Sequence, residues 1–479
     1  MKIAKSDCEI GLIGMGTMGR NLALNIADHG FPVAVYNRTA EKTREFMATE
    51  AAGREVRPGY NLESFVRLLR KPRAVLLLVS AGPPVDAMIE ELLPHLEPED
   101  LIIDSGNSYF GDTDRRARRL EAEGLLFLGL GISGGELGAR FGPSLMPGGP
   151  LEAYQRVWPV LEAVAAKVRG EPCVAYLGAG SAGHYVKMVH NGIEYGMMQL
   201  IAETYDLLKY GLGLDNDTLH DVYARWNQEE LESYLIEITA RIFLKKDDQT
   251  GGRLIDVILD AAAEKGTGVW TSKEALDLRV PVPTIDMAVA MRALSDLKGE
   301  REAASEILGG HLSLIQERRE DFIEKIKNAL LASMIVTYAQ GMALLQQASR
   351  HYGYQLHLEK VAQIWRGGCI IRAGLLEDIR MAYENDHDLP NLLVDPNVRQ
   401  QLMIRQADWR AVMADAALAG IPTPGLAASL GYFDAYRRAR LPANLIQAQR
   451  DYFGAHTYER VDAPGTFHTD WHEETEVGR

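Results

Sequence analysis

Lys187, His190, Asn191, Glu194 and Tyr195 fall at i, i+3, i+4, i+7 and i+8 within the stretch "GHYVKMVHNGIEYG" (183–196). At the helical 100° per residue they share one face, within an arc of roughly 140°. Val186, Val189, Ile193 and Leu200 fill much of the remaining circumference. A lysine acts as a general base only when neutral, so its pKa of about 10.4 must fall through burial or nearby positive charge. The apolar flanks of Lys187 suit such a shift, and a carboxyl two turns further along the same face can return a proton. The stripe therefore predicts a proton-handling face. The structural alternative is an interior polar network linking helices.

The elements that must position this helix follow from periodicity. Apolar runs at 10–13, 32–36, 74–79, 101–104, 125–129 and 173–178 have the composition of buried strands. Helix-like stretches such as "MGRNLALNIADHG" lie between several of them, with Gly30 placed to cap one. That βαβ repetition predicts a parallel sheet covered by helices. Beyond about residue 180 the strand runs stop and helical composition takes over. The expected architecture is an α/β Rossmann-like N-terminal domain (1–178), a large all-α domain for substrate and dimerisation (179–435) and a C-terminal tail (436–479). The helical region contains a weak internal repeat, in which Tyr195, Gly211 and Trp226 match Tyr338, Gly353 and Trp365. Leu330 and Met334 fall near the places of Lys187 and Asn191, so only one copy carries the polar stripe.

Composition narrows the partners. A chain of 479 residues is too long for one core, and its 47% apolar and 24% charged residues are ordinary for a globular protein. The net charge of −15 argues against nucleic acid or an acidic membrane surface, and an anionic substrate would need a local basic cluster. No run approaches a membrane span, no secretory signal is visible, and Cys8, Cys173 and Cys369 form neither a disulfide framework nor a metal cluster. The expected compartment is the cytosol.

"IGLIGMGTMGRNL" places Gly14, Gly16 and Gly19 in a G-x-G-x-x-G turn between strand and helix, the setting for a dinucleotide pyrophosphate, with Met15, Thr17 and Met18 completing the loop. NAD sites usually place an acid about 20 residues on, at the end of the next strand. Here stand Asn37, Arg38 and Thr39 instead, and an arginine offers a bidentate cation to a 2′-phosphate. The cofactor expected is NADP.

Four further stretches, "DSGNSYF" (104–110), "GISGGELGARFGPSLMPGG" (131–149), "KGTGVW" (265–270) and "QAQRDYFGAHTY" (447–458), complete a pattern along essentially the whole chain. With the opening turn and helix, they resemble the decarboxylating 6-phosphogluconate dehydrogenases of the β-hydroxyacid dehydrogenase superfamily. The resemblance implies an NADP-binding Rossmann domain, a helical domain that forms a homodimer, and a tail entering the neighbouring subunit. It implies conversion of 6-phosphogluconate to ribulose 5-phosphate, CO2 and NADPH, a step of the pentose phosphate pathway.

Carried over by position, Lys187 matches the general base and Glu194 the general acid. Asn107, Ser133, Gly134, Gly135, His190 and Asn191 match contacts to the substrate carboxylate and hydroxyls, and Asn107 is also expected near the cofactor. Tyr195, Lys265, Thr267 and Arg292 match the phosphate end. Arg450 and His456 match residues lent by the partner subunit, and Val79, Ser80 and Ala81 a nicotinamide-side loop. There are departures: Gly16 replaces the usual alanine, Ser80 a common lysine, and Ser105 a glycine, while Leu137, Met197 and Val269 end motifs differently. No metal-ligand spacing is visible, so decarboxylation is expected to be metal-free. Two other readings remain at this level: an NADP-dependent dehydrogenase of an unphosphorylated hydroxy acid, and a silent NADPH-binding scaffold.

Overall fold

Continuous apolar strands call for a sheet covered on both faces. The computed structural model, which describes residues 7–264, 266–309 and 312–471, is built on one. Strands β1 (Ile10–Ile13), β2 (Val33–Tyr36), β3 (Val56–Pro58), β4 (Ala74–Leu77), β5 (Leu101–Asp104), β6 (Leu126–Ser133) and β7 (Ser144–Gly148) lie in the order β3-β2-β1-β4-β5-β6-β7. Successive side chains enter opposite cores. Val33, Val35, Leu76 and Ile103 pack on one face, and Ala34, Tyr36, Val75, Leu77 and Ile102 on the other. The strand order reverses between β1 and β4, and that switch point leaves a crevice at their C-terminal ends.

The sheet departs from the expectation in four places. β3 is an additional short strand, and β6 continues past 129 to Ser133. β7 runs antiparallel to β6, so the sheet is not wholly parallel. The run 173–178 is not a strand: it touches β7 through the Leu145–Val174 bridge and through Leu177 N–H donating to Pro147 O at 3.0 Å. Pro147 has no N–H to return along that outer edge, so the ladder cannot continue.

The helical region is organised by two long helices, the central helix Ala182–Asp206 and the core helix Arg319–Tyr352. They approach closely because glycines face larger side chains: a Cβ on Gly341 would stand 2.4 Å from Ile193 Cδ1, and one on Gly196 2.7 Å from Thr337 Cγ2. By length and hydropathy the core helix could cross a membrane, which corrects the expectation that no run approaches a span. Its apolar window is 89% buried, as befits the middle of a protein interior.

The two segments aligned by the weak repeat have similar element order and meet at one point. Each long helix leads to a shorter one ending in a fully buried tryptophan, Trp226 in Asn216–Trp226 and Trp365 in Leu358–Trp365. Just beyond, Tyr234 N–H donates to Arg372 O at 3.0 Å and Gly374 N–H to Glu232 O at 2.9 Å, around an antiparallel Ser233–Ala373 bridge.

By contact density the chain divides after Ser429. Sheet and long helices share the first unit because the start of the central helix is pressed into the sheet: a Cβ on Gly183 would lie 2.3 Å from Met146 O and 2.5 Å from Gly129 O. The second unit, from Leu430, contains the helix Ala443–Gly454 and a pair of two-residue strands, Tyr458–Glu459 and Thr466–Phe467. Asp451, fully buried, organises it by accepting from Thr457 N–H (2.9 Å), Thr469 N–H (3.1 Å) and Trp471 Nε1–H (2.8 Å), with His468 Nδ1 at 2.9 Å.

Candidate active site

At the crevice, the glycine turn is dictated by close approach. Gly14 has φ +110° and would put a Cβ 2.3 Å from Leu78 O, while a Cβ on Gly19 would be 1.8 Å from Gly14 O. Gly16 precedes the helix Thr17–Asp28 with open space around it and no side-chain cap, so the helix N-terminus presents its N–H groups outward. These residues fit a pyrophosphate. Met15 is buried, Thr17 exposed and Met18 half-buried. Asn37 Oδ1 accepts from Met15 N–H at 3.0 Å and its Nδ2 donates to Thr39 O at 3.1 Å, so Asn37 braces the turn as well as bordering it. Arg38 and Thr39 are exposed at the end of β2, where a cation can meet a ribose phosphate. Val79 and Ala81 are half-buried and Ser80 exposed in the loop after β4.

The predicted stripe lies on the central helix. Lys187, His190, Asn191 and Tyr195 are buried, and Glu194 is half-buried. A Cβ on Gly131 would be 2.6 Å from Lys187 Cβ, so the lysine stem rests directly on β6. Lys187 Nζ is 3.5 Å from His190 Nδ1, which also lies 3.1 Å from Asn191 Oδ1 and 3.7 Å from Glu194 Oε2. His190 Nε2 faces Ser133 Oγ at 3.2 Å. Burial and then the Lys187 charge hold His190 well below the usual histidine range, so the imidazole is neutral. Its tautomer depends on whether Lys187 or Asn191 takes Nδ1. Burial likewise lowers the Lys187 ammonium, opposed by the Glu194 carboxylate, and raises the Glu194 carboxyl, opposed by Lys187 and Arg292.

Around this row the expected contacts assemble unevenly. Ser133 ends β6, and Gly134 (φ +126°) and Gly135 (φ +60°) turn the chain in a conformation that favours glycine. A Cβ on Gly134 would meet Gly368 O at 2.4 Å. Asn107 is exposed on the loop after β5. Arg292 Cζ lies 3.4 Å from the centre of the Tyr195 ring, and that ring closes on Gly268, one residue past Thr267 at the start of the helix Thr267–Asp277. Lys265 lies outside the described residues. Arg450 and His456 belong to the second unit, where both are exposed. Arg450 Nη1 donates to Gln447 Oε1 at 3.2 Å, and His456 meets the Phe453 ring edge-on at 5.8 Å. The Ser105 hydroxyl, one of the departures, is buried and makes no hydrogen bond among the described residues.

Several residues that order the site were not singled out in the sequence. Trp365 meets His190 edge-on at 5.7 Å, and Thr271 Oγ1 donates to Met188 O at 3.0 Å, fastening the helix Thr267–Asp277 to the central helix. Asp104, the first residue of the "DSGN" stretch, shapes its own loop by accepting from Gly106 N–H at 3.1 Å and Ser108 Oγ–H at 2.7 Å. The presence of an acid at the end of a buried strand was the available signal.

Comparison with known proteins gives the family. The NAD binding domain of 6-phosphogluconate dehydrogenase matches residues 9–178, and the C-terminal domain of the same enzyme matches 183–471. A Synechococcus elongatus protein named 6-phosphogluconate dehydrogenase, decarboxylating, is 58% identical, covering 97% of this chain and 99% of its own. A Bacillus subtilis protein named as the NADP(+)-dependent, decarboxylating enzyme is 54% identical, with the same coverage of 97% and 99%. The solved 6-phosphogluconate dehydrogenase of Plasmodium falciparum, described apo and with its cofactor NADP+ and its substrate 6-phosphogluconate, superposes with a TM-score of 0.94 at 45% identity, covering 97% of this chain and 100% of that one. The chain belongs to the 6-phosphogluconate dehydrogenase family.

Proposed function

We propose that this protein oxidises and decarboxylates 6-phospho-D-gluconate to D-ribulose 5-phosphate and CO2 while reducing NADP+ to NADPH, with Lys187 as general base and Glu194 as general acid. The observation that carries the reading is the pair itself: two proton carriers on one buried helix face, shifted by burial in opposite directions.

The turn at Gly14–Gly19, with Asn37, Arg38 and Thr39, would hold the dinucleotide, and Val79–Ala81 would border its nicotinamide. When bound, NADP+ accepts the hydride leaving the substrate's secondary alcohol carbon. Neutral Lys187 takes the hydroxyl proton. In the resulting β-keto acid the ketone accepts the electron pair released with CO2, and protonated Lys187 hydrogen-bonds the oxygen as it becomes enolate. Glu194 then protonates the carbon that carried the carboxylate. Two turns of one rigid helix keep both groups on the same side of the substrate.

Asn107, Ser133, Gly134, Gly135, His190 and Asn191 would hold the carboxylate and hydroxyls. Tyr195, Lys265, Thr267 and Arg292 would form the local basic site that a phosphate needs on an acidic protein. The protein would act as a homodimer in which one subunit's tail lends Arg450 and His456 to the other's site. The exposed tail aromatics, Tyr452 at 52% and Phe453 at 72%, support a surface that is covered in the assembly.

The test is to measure NADPH and CO2 together. With 6-phosphogluconate they should appear in equal amounts, with or without chelator, and gluconate should give neither at a comparable rate. Turnover of gluconate at the same rate would favour a dehydrogenase of unphosphorylated acids.

A further inference from the structure

The helix Phe110–Ala122 carries a fully engaged arginine that the mechanism above does not use. Arg116 is 2% exposed, and each of its five N–H donors has an acceptor. Nε and Nη2 hold Asp86 bidentately at 2.8 and 3.0 Å, and Nη2 also donates to Gly82 O at 3.0 Å. Nη1 reaches Asp104 Oδ2 at 3.2 Å and Ser108 Oγ at 3.4 Å. One guanidinium thus ties the end of the loop after β4 to the loop after β5, and Gly106 of the second loop packs against Val79 O of the first.

The same helix is also fastened to the catalytic row. One turn before Arg116, Thr113 Oγ1 is 2.7 Å from Nδ1 of His184, a buried residue one turn before Lys187 on the central helix. Asp104 and Arg116 both act electrostatically on that imidazole, in opposite directions. The helix is therefore a crossbeam, with the two loops at one attachment and the helix of the proton carriers at the other.

We propose that Arg116 is a positioning residue that, with Thr113, sets the distance between the nicotinamide-side loop 79–82 and the substrate carbon whose hydroxyl faces Lys187. This rests on the reading of Val79–Ala81 as the nicotinamide border. A buried Arg–Asp cluster that merely holds the fold together would affect stability alone. A cluster that sets the hydride distance must affect the chemical step, since a displacement of about 1 Å costs on the order of 10²-fold in rate.

Arg116→Lys keeps the charge but cannot span Asp86, Gly82 O and Asp104 together. It should lower kcat on the order of 10²-fold, with KM for either substrate moving far less, and enlarge the isotope effect for substrate deuterated at the hydride-donating carbon. Thr113→Val, which leaves the arginine in place, should show the same enlarged isotope effect with a smaller loss, and Thr113→Ser should restore it. An unchanged isotope effect in Thr113→Val, or in a folded Arg116→Lys whose thermal midpoint alone has fallen, overturns the proposal. Ala81→Arg tests the underlying reading: it should weaken NADP+ while sparing adenosine 2′,5′-bisphosphate, which has no nicotinamide. If NADP+ affinity survives in Ala81→Arg, the loop does not border the nicotinamide and the proposal falls with that reading. If it is lost while the Arg116 and Thr113 variants behave as wild type, only the positioning role fails.

Discussion

Lys187 and Glu194 stand two turns apart on the buried face of one helix, and burial moves their proton affinities toward each other. The lysine is made easier to deprotonate and the carboxyl harder. Each group also acts on the other: the Glu194 carboxylate raises Lys187, and the Lys187 ammonium lowers Glu194. A base and an acid so arranged can exchange roles within one catalytic cycle without a change of backbone.

The pH dependence follows from the signs. With Lys187 as the proposed base, hydride transfer needs its neutral form, so the rate should rise with pH through a pKa below the usual lysine range. With Glu194 as the proposed acid, protonation needs its acid form, so product formation should decline as pH passes through a pKa above the usual carboxyl range. Glu194→Gln removes the charge that raises Lys187, so the acid limb of NADPH formation should move to lower pH while ribulose 5-phosphate formation is lost on the order of 10²–10⁴-fold. Rapid-mixing absorbance across pH measures both, and an acid limb displaced upward contradicts the coupling.

Arg38 is exposed beside the turn that Asn37 braces. Arg38→Asp should weaken NADP+ by about 10–100-fold, the worth of a charge-assisted hydrogen bond, and relatively favour NAD+. Direct titration with both dinucleotides gives the ratio. An unchanged ratio would make Arg38 a solvated surface charge.

In the second unit, hydrogen bonds from His468, Trp471, Thr469 and Thr457 outweigh desolvation and depress the Asp451 carboxyl to about 2. A depressed pKa gives stability that is present above the unfolded value of about 3.9 and lost as pH falls toward the folded one. Tail order should therefore decay between about pH 4 and 2. Asp451→Asn should speed amide exchange at Thr457 and Thr469 even at neutral pH. Unaltered protection there would show that the carboxylate is not what folds the tail.

If sites are shared between subunits, mixing two inactive variants should restore activity. Lys187→Met and Arg450→Ala, exchanged into heterodimers, give one site with intact Lys187 and the other subunit's intact Arg450. Recovery approaching one working site per heterodimer is expected. Heterodimers that form and remain inactive would mean that each tail serves its own subunit.

Much of this was legible in the sequence, for identifiable reasons. Val33–Tyr36 and Ala74–Leu77 are buried on both faces and read as unbroken apolar runs, and Gly14, Gly16 and Gly19 are spaced by steric demands that few other residues meet. β3 was illegible because Val56–Pro58 is too short for a periodicity. β7 was hidden because Pro147 is tolerated there only at a broken edge, and the apolar run 173–178 owes its burial to packing beside that edge. Arg116 sits among Arg115, Arg118 and Arg119, and type alone does not separate them. Spacing does: Phe110, Thr113, Arg116 and Leu120 are the buried positions of their helix. Partner geometry, by contrast, is decided by distant loops, which is why Asp104 and Gly82 could not be paired with Arg116 in advance.

The central claim is that Lys187 is the proton carrier on which both halves of the reaction depend. Lys187→Met preserves the length of the side chain and removes its proton chemistry. The decisive measurement is single-turnover NADPH and CO2 release by this variant, after titration has shown that it still binds NADP+ and 6-phosphogluconate. The account predicts that both products are lost together, by on the order of 10²–10⁴-fold or more. Near-normal formation of either product by the fully liganded variant would contradict it.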